Sequence, residues 1–270
     1  MLRDDQGRQL NLMDTDLNRV MDVMAHAWTE STRETYGTGL LMYHVFCDKK
    51  SIPEPQRAPA GSILLQSFIA SMAGSYSGAA ISNYIWGIRA WHILHGIPWK
   101  LNDVEMDTLL QAAIKITPES SKRKKHHPYT IEFITKLRQK LNLDNPLDTA
   151  VFACLTTCFY ATARLGEFTM KRLTDFNPAH HVKRSDLSKV QDRNGLPVVN
   201  LHIPRTKSSA SGETVSWSRQ EGQTDPESAL ANHFRVNEPP DNVHLFAYKH
   251  KSGLRPLTKS KFLSRLAQAA

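Results

Sequence analysis

The chain has 270 residues, which suits one large domain or two ordinary ones, and 40% of them are hydrophobic, enough to build real cores. No apolar run is long enough to predict a membrane-spanning helix, and the first residues lack the apolar segment of a secretory signal. The three cysteines, Cys47, Cys154 and Cys158, give no disulfide framework and fit a reducing, intracellular compartment.

The positive charge is unevenly distributed along the chain. Residues 1–120 hold 10 Lys or Arg and 13 Asp or Glu, a net charge of −3, whereas residues 121–270 hold 24 and 13, a net charge of +11. All of the overall +8 therefore comes from the second part of the chain. Such asymmetry favours a polyanionic partner for that part, with nucleic acid the first candidate. A basic surface that serves solubility alone is the other interpretation.

The first part of the chain, residues 1–117, predicts a compact helical bundle. Ser31 and Glu34 have the spacing of a capping box, and apolar side chains then recur on one helix face up to Cys47. Proline and glycine breaks separate further helices near residues 63–72 and 81–94, and Asp103 can cap another. Four or five helices are expected, with Trp86 and Trp91 in their core.

A polar, basic segment, PESSKRKKHHP at residues 118–128, predicts a linker. It is flanked by prolines and contains four consecutive basic residues, Lys122, Arg123, Lys124 and Lys125. This composition is typical of a solvated hinge, and the basic run can also cross a phosphate backbone. The same run suggests a nuclear location.

Residues 129–270 predict a second, α-rich domain with a small β-structure. Thr130 caps a first helix, Pro146 opens an almost wholly apolar one, and LPVVNLHIP and ETVSWS read as two strands of a hairpin. The basic connection between the strands, RTKSSASG, is expected to be flexible. Cys154 and Cys158 are four residues apart, but without a second Cys/His pair they indicate core packing rather than a zinc site. The predicted fold class is therefore mainly α, with a small β-hairpin or sheet.

Three residues of this second domain could handle a phosphate group. The buried helix ends just before Arg164, whose guanidinium can bind two phosphate oxygens at once, and Glu167 lies one turn further on to brace it. Lys207 lies in the hairpin connection and could donate a proton to a leaving oxygen. An arginine clamp with a lysine acid can support phosphodiester cleavage without a metal ion.

The order of these parts resembles the tyrosine recombinase (phage-integrase-like) family, most closely the fungal Crypton-type recombinases. ATARLGE at 161–167 is similar to the arginine box of that family, and VVNLHIPRTKSSASGETVSW to its lysine hairpin. The segment HLFAY…GLRPLTKSKFLSRL and the early stretch TESTRETYGTGLLMYHVFC are similar to other family segments, so the resemblance covers nearly the whole chain. It implies a core-binding domain at 1–117, the linker at 118–128, and the N-terminal part of a catalytic domain at 129–270, closing around DNA.

The resemblance assigns roles residue by residue. Arg164 would be the first catalytic arginine, Glu167 its companion acid and Lys207 the general acid. It implies cleavage and rejoining of DNA through a 3′-phosphotyrosine, with no cofactor or metal. The family's His-x-x-Arg box and tyrosine nucleophile have no counterpart in the expected place. His181–Arg184 spells His-x-x-Arg too early and is expected to be a solvated loop.

The sequence therefore predicts a DNA-binding, site-specific recombinase-like chain that binds DNA without cleaving it. The alternative is a domesticated, non-catalytic DNA-binding or scaffold protein. A third interpretation is a helical protein-interaction module whose basic half is incidental. Double-stranded DNA is the expected partner, with possible self-association on DNA, and neither a membrane nor a small-molecule substrate is expected. The predicted DNA-binding residues are the basic side chains of the linker and scattered polar or basic residues elsewhere: Lys122, Arg123, Lys124, Lys125, Asn83, Arg89, Arg205 and Ser208.

Overall fold

The structure is a computed structural model that describes residues 6–8, 11, 13–122 and 127–270. It is mainly helical with a small amount of antiparallel sheet, which confirms the predicted fold class. Its contacts divide the chain into two compact units, Met1–Lys125 (unit 1) and His126–Ala270 (unit 2). Among the described residues, no helix is both long and apolar enough to cross a membrane.

Unit 1 is built from helices. They are α1 (Asp14–Ala25), α2 (Glu30–Lys49), α3 (Ser62–Met72), α4 (Gly78–Leu94) and α5 (Asp103–Lys115). The caps of two of them lie one or two residues before the predicted positions. The Thr29 side chain, not Ser31, accepts the Thr32 N–H at the start of α2, and Asn102, not Asp103, caps α5. The core contains the aromatic cluster of Tyr43, Phe46 and Phe68.

The crossing of α2 and α4 is unusually close because each helix contributes a glycine to it. A Cβ on Gly39 would lie 2.6 Å from Tyr84 Cα, and one on Gly87 would lie 2.6 Å from the Tyr36 carbonyl oxygen. The two sites are reciprocal, since both helices carry the pattern Tyr-x-x-Gly, YGTG and YIWG. The backbones therefore touch directly, without side chains between them.

Unit 2 surrounds the buried helix α7 (Pro146–Tyr160). Pro146 opens this helix as predicted, and the Asn145 side chain caps it. Its other helices are α6 (Ile131–Lys140), α8 (Pro226–Asn237) and α9 (Lys259–Ala269). An antiparallel sheet contains β1 (Leu187–Gln191), β2 (Pro197–Ile203) and β3 (Glu213–Ser218) in that order, and β4 (Tyr248–His250) pairs with β5 (Gly253–Arg255).

The predicted hairpin is confirmed as β2 and β3, and β1 is an additional strand that the sequence did not predict. Alternate β2 side chains point into the core, so Val199, Leu201 and Ile203 are buried. Trp217 on β3 is also buried and packs in the core of unit 2.

Polar groups connect the elements of unit 2 inside its core. Arg265 on α9 donates two hydrogen bonds of 2.7 Å to the Asp148 carboxylate on α7, and only 6% of the Asp148 side chain is exposed. Asp148 also accepts the Asn142 N–H at 2.8 Å. Asn237 at the end of α8 donates to the Pro146 carbonyl and the Thr149 hydroxyl of α7, both at 2.9 Å. These bonds fix the angles at which α8 and α9 pack on α7.

Candidate nucleic-acid interface

Arg164 is positioned by a tight turn at the end of α7. The helix ends at Tyr160, Thr162 adopts a left-handed backbone conformation, and a short 3-10 turn follows at Leu165–Glu167. The Glu167 carboxylate accepts the Arg164 backbone N–H at 3.3 Å and its guanidinium Nη1 at 3.2 Å. The Glu167 side chain is only 13% exposed and that of Arg164 is 70% exposed. The acid therefore anchors an arginine whose other donors face solvent.

The connection between β2 and β3 is held by a network of short hydrogen bonds around Glu213. The hydroxyls of Thr206 and Ser208 both donate to Glu213 Oε1 at 2.9 Å. The Thr206 backbone N–H also donates to the Ser209 carbonyl at 2.9 Å. These bonds fold back the segment that was predicted to be a flexible tip, and the exposed Lys207 lies between the two hydroxyl donors.

The hydrogen bonds of this network favour the ionised form of the Glu213 carboxylate. Donation from Ser208, then from Thr206, lowers the pKa of Glu213, and the nearby Arg164 lowers it further. Because Glu213 is ionised, it accepts both hydroxyl donors and keeps the backbone on each side of Lys207 in place. Ser208, which was predicted to contact DNA, is thus engaged with Glu213 instead of projecting freely.

A cleft of about 410 Å³ brings the three predicted catalytic residues together. Arg164 and Glu167 line one part of it, and Arg205 and Lys207 line another. Three Lys or Arg side chains therefore line the cleft with one acid, and Glu167 is already bonded to Arg164. The excess positive charge and the exposed donors of these side chains suit an oxyanion such as a phosphate.

Two histidines that were not predicted to belong to this site also line the cleft. His180 is exposed, whereas His181 is half-buried and its ring lies near Phe176. His181 Nδ1 lies 3.0 Å from the Asn177 backbone nitrogen and 3.1 Å from the Asn177 carbonyl oxygen, so Asn177 holds the ring through that nitrogen. Burial lowers the pKa of His181, and His180 adds to the effect. His181 is therefore neutral at pH 7.

The prediction that His181–Arg184 is a solvated loop was wrong. Arg184 does not line the cleft. Its guanidinium lies 4.8 Å from the centre of the Phe234 ring and donates to the Pro239 carbonyl at 3.1 Å. His181 and Arg184 therefore lie at separate places in unit 2 and do not form one site, although the sequence matches His-x-x-Arg. The sequence signal for His180 and His181 was their position beside an apolar residue in the stretch HHV. Val182 is buried and holds the backbone next to the two histidines.

The remaining predicted DNA-binding residues belong to unit 1. Asn83 is exposed on α4, and the Arg89 guanidinium lies 5.2 Å from the centre of the Trp86 ring. Trp86 was predicted to be in the core, but 41% of it is exposed, because it lies on the outer face of α4. Lys122 forms an ion pair with Glu119. The other linker residues, Arg123, Lys124 and Lys125, lie outside the described residues.

No protein-family model matches the chain, and the curated proteins compared with it give no match. Within the part of the chain that the structure describes, no three His, Cys, Asp or Glu side chains are grouped as metal ligands would be. The function of the cleft therefore has to be inferred from its own residues.

Proposed function

We propose that the chain binds double-stranded DNA, and that the cleft of Arg164, Arg205 and Lys207 holds a backbone phosphate. The observation that carries this proposal is the convergence of these cations, from segments about forty residues apart in sequence, on one open cleft. Their net charge, and the excess of basic residues in 121–270, fit the regular phosphate charges of a duplex.

The arrangement supports a recombinase-type contact with a phosphodiester. Arg164 can donate two parallel hydrogen bonds to the non-bridging phosphate oxygens, and Glu167 holds the guanidinium for that contact. Lys207 can approach a bridging oxygen as a proton donor, and His181 lines the same cleft. Such donors would stabilise the additional negative charge of a pentacoordinate phosphorus.

The proposed activity is binding without strand cleavage. Among the described residues that line the cleft there is no tyrosine. The Tyr160 hydroxyl is hydrogen-bonded to Thr224 at 2.8 Å, and Tyr248 is buried on β4. Cleavage and rejoining through a phosphotyrosine would need a nucleophile from elsewhere. The alternative, a non-catalytic DNA-binding or scaffold protein derived from a recombinase, shares the same binding step.

Binding to a labelled duplex by fluorescence anisotropy across a salt series tests the proposal. We expect affinity to fall steeply with salt, because each phosphate contact releases counterions. Arg164→Gln should weaken binding by about tenfold near 0.1 M salt, since one contact contributes a slope of about 0.9. Lys136→Gln removes the same charge from the exposed side of α6 and is the matched control.

Two results would contradict the proposal. One is an affinity that does not change with salt. The other is an Arg164→Gln variant that binds as tightly as the Lys136→Gln control. Incubation with supercoiled plasmid tests cleavage separately, and no relaxation of the plasmid is expected.

A further inference from the structure

A second and larger cleft lies on unit 2, with a volume of about 830 Å³. Its walls come from the start of α7, the β4–β5 pair, the start of α9 and the segment 171–173. None of its lining residues belongs to the first cleft. The recombinase-type contact described above does not use it.

This second cleft is lined by basic side chains. Among the described residues that form it, none is aspartate or glutamate, and the neutral polar members are Asn, Ser, Thr and Tyr. Six of the residues that line this cleft are basic: Lys171, Arg172, Lys249, His250, Arg255 and Lys261. The first cleft is lined by three Lys or Arg residues and one acid, whereas the second is lined by five Lys or Arg residues and no acid. The second cleft therefore has the larger excess of positive charge.

The ion pairs at the rim leave this positive charge available to a ligand. Arg172 pairs with Asp175 at 3.1 Å and Lys249 with Glu238 at 2.5 Å, and all four side chains are partly or largely exposed. Exposed pairs contribute little free energy, so a phosphate oxygen can replace the carboxylate at small cost. The guanidinium of Arg255 is held by the Ser252 hydroxyl at 2.9 Å, which orients it without neutralising it.

One stretch of backbone lines both clefts. Arg164, Gly166 and Glu167 line the first, and Lys171 and Arg172 line the second. Arg172 is eight positions after Arg164, so their Cα atoms are at most about 28 Å apart. A single turn of B-DNA is about 34 Å long and carries phosphates along its whole length, so one duplex is long enough to span this distance.

The relative placement of the clefts is fixed by a buried link between them. Met170, which is buried, accepts the Lys259 N–H and donates its own N–H to the Leu257 carbonyl, both at 2.9 Å. These bonds tie the shared segment to the start of α9, where Lys261 lies. Arg164, Arg172 and Lys261 are therefore carried by backbone segments that these bonds join directly.

We infer that this second cleft is a further phosphodiester-backbone site, which contacts the same nucleic acid at phosphates beyond those held by the first cleft. The inference rests on the proposed function and adds a second contact surface to it. A nucleic acid suits the cleft better than a small anion does. The cations come from four separate elements around about 830 Å³, whereas one small anion would contact two or three of them.

The test compares two double variants of the full chain by fluorescence anisotropy, using a labelled 20-base-pair duplex across a salt series. Arg255→Gln with Lys261→Gln removes two charges from the second cleft. Lys136→Gln with Lys189→Gln removes two charges from exposed positions outside both clefts. Arg164→Gln, measured alongside, reports on the first cleft alone.

We expect the second-cleft variant to reduce the slope of log affinity against log salt by about two, because two phosphate contacts are lost. Affinity near 0.1 M salt should fall by more than about tenfold, and the control variant should stay within about threefold of wild type. Circular dichroism verifies that each variant is folded.

Each other outcome has a separate meaning. If Arg164→Gln weakens binding and the second-cleft variant matches its control, the inference is overturned and the proposed function stands. If wild type shows no salt-dependent binding, the proposed function fails, and the inference fails with it. If the second-cleft variant keeps its affinity for DNA but changes self-association by analytical ultracentrifugation, the cleft binds an acidic protein surface, and the inference is wrong.

Discussion

The two units of this chain use different means to hold their elements together. In unit 1, α2 and α4 meet backbone to backbone at Gly39 and Gly87. In unit 2, buried polar bonds connect the elements, above all Arg265 with Asp148. The first kind of contact depends on volume and the second on charge and hydrogen bonding. Unit 1 should therefore be sensitive to an added methyl group, and unit 2 to the loss of a charge and to pH.

Removal of the buried arginine should produce the largest effect. Arg265→Met leaves the Asp148 carboxylate buried with only the Asn142 N–H as a partner among the hydrogen bonds described above. We expect unit 2 to lose about 3–5 kcal/mol of unfolding free energy, as for other buried pairs that lose one partner. Hydrogen-exchange mass spectrometry in urea, read on peptides of α7 and α9, measures the change.

The control for this prediction is Arg235→Met. That arginine pairs with Asp144 at 3.1 Å, but both side chains are largely exposed, so the loss should be below about 1 kcal/mol. Equal effects of the two substitutions would contradict the assignment of the Arg265 pair as a structural anchor.

A methyl group at the helix crossing should have the next largest effect. Gly39→Ala places a Cβ 2.6 Å from Tyr84 Cα, which forces α2 away from α4. We expect unit 1 to lose about 1–3 kcal/mol, measured by exchange of α2 and α4 peptides. Gly37→Ala is a matched control on the same helix, because no atom lies within 4 Å of its added Cβ. It should be neutral or slightly stabilising, since alanine favours a helix. Equal destabilisation by both substitutions would contradict the close crossing as the cause, because only Gly39 lies against α4.

Acid should weaken unit 2 through its buried histidines. Burial lowers the pKa of His244 to about 3, and His181 and His233 nearby add to the effect. The unfolded chain then binds more protons than the folded one as the pH falls below about 6.5, so stability is lost from there down towards pH 3. His244 alone should account for a loss of about 2 kcal/mol between pH 7 and pH 5.

His244→Asn tests this prediction. An asparagine oxygen can still accept the Phe246 N–H, which His244 Nδ1 accepts at 3.2 Å. The variant should start with lower stability at pH 7, but its loss between pH 7 and pH 5 should be smaller than that of wild type. His233 remains, and burial lowers its pKa to about 4, so some pH dependence persists. Urea titrations at both pH values measure the difference. An unchanged pH dependence would mean that His244 is protonated in the folded protein as readily as in the unfolded one.

The smallest effect is expected on the surface of α4. Arg89→Gln removes the guanidinium from the exposed ring of Trp86 and should cost about 0.5–1 kcal/mol, measured by urea denaturation. The same variant tests the predicted DNA contact of Arg89 in the anisotropy assay. If the unfolding free energy is unchanged while the affinity for DNA falls, Arg89 contacts DNA and its contact with the Trp86 ring does not stabilise the fold.

Local signals in the sequence predicted much of the fold. Thr130, Pro146 and the hairpin strands are governed by residue-specific rules that act over a few neighbours, and the structure contains all of them. The capping box at Ser31 failed because Thr29, two residues earlier, offered an equivalent hydroxyl. Strand β1 was missed because only its first residue is partly buried, so it lacks the alternation of a strand with one buried face.

The candidate site was predictable in part. Arg164 and Lys207 were singled out from their local contexts, and the structure brings them to one cleft. His181 was not, because its place depends on a loop that is held by Val182 and Asn177 rather than by a periodic element. The second cleft was not predicted either. Its cations come from segments far apart in sequence, and only tertiary packing brings them together.

The reciprocal glycines give the α2–α4 crossing a local two-fold symmetry. Tyr36 lies against Gly87 and Tyr84 against Gly39, so half a turn about one axis exchanges the two halves of the contact. A methyl group on either glycine would push the same two helices apart. Once the first methyl group has separated α2 from α4, the second has a smaller steric clash. Alanine at both positions should therefore destabilise unit 1 by less than the sum of the two single changes.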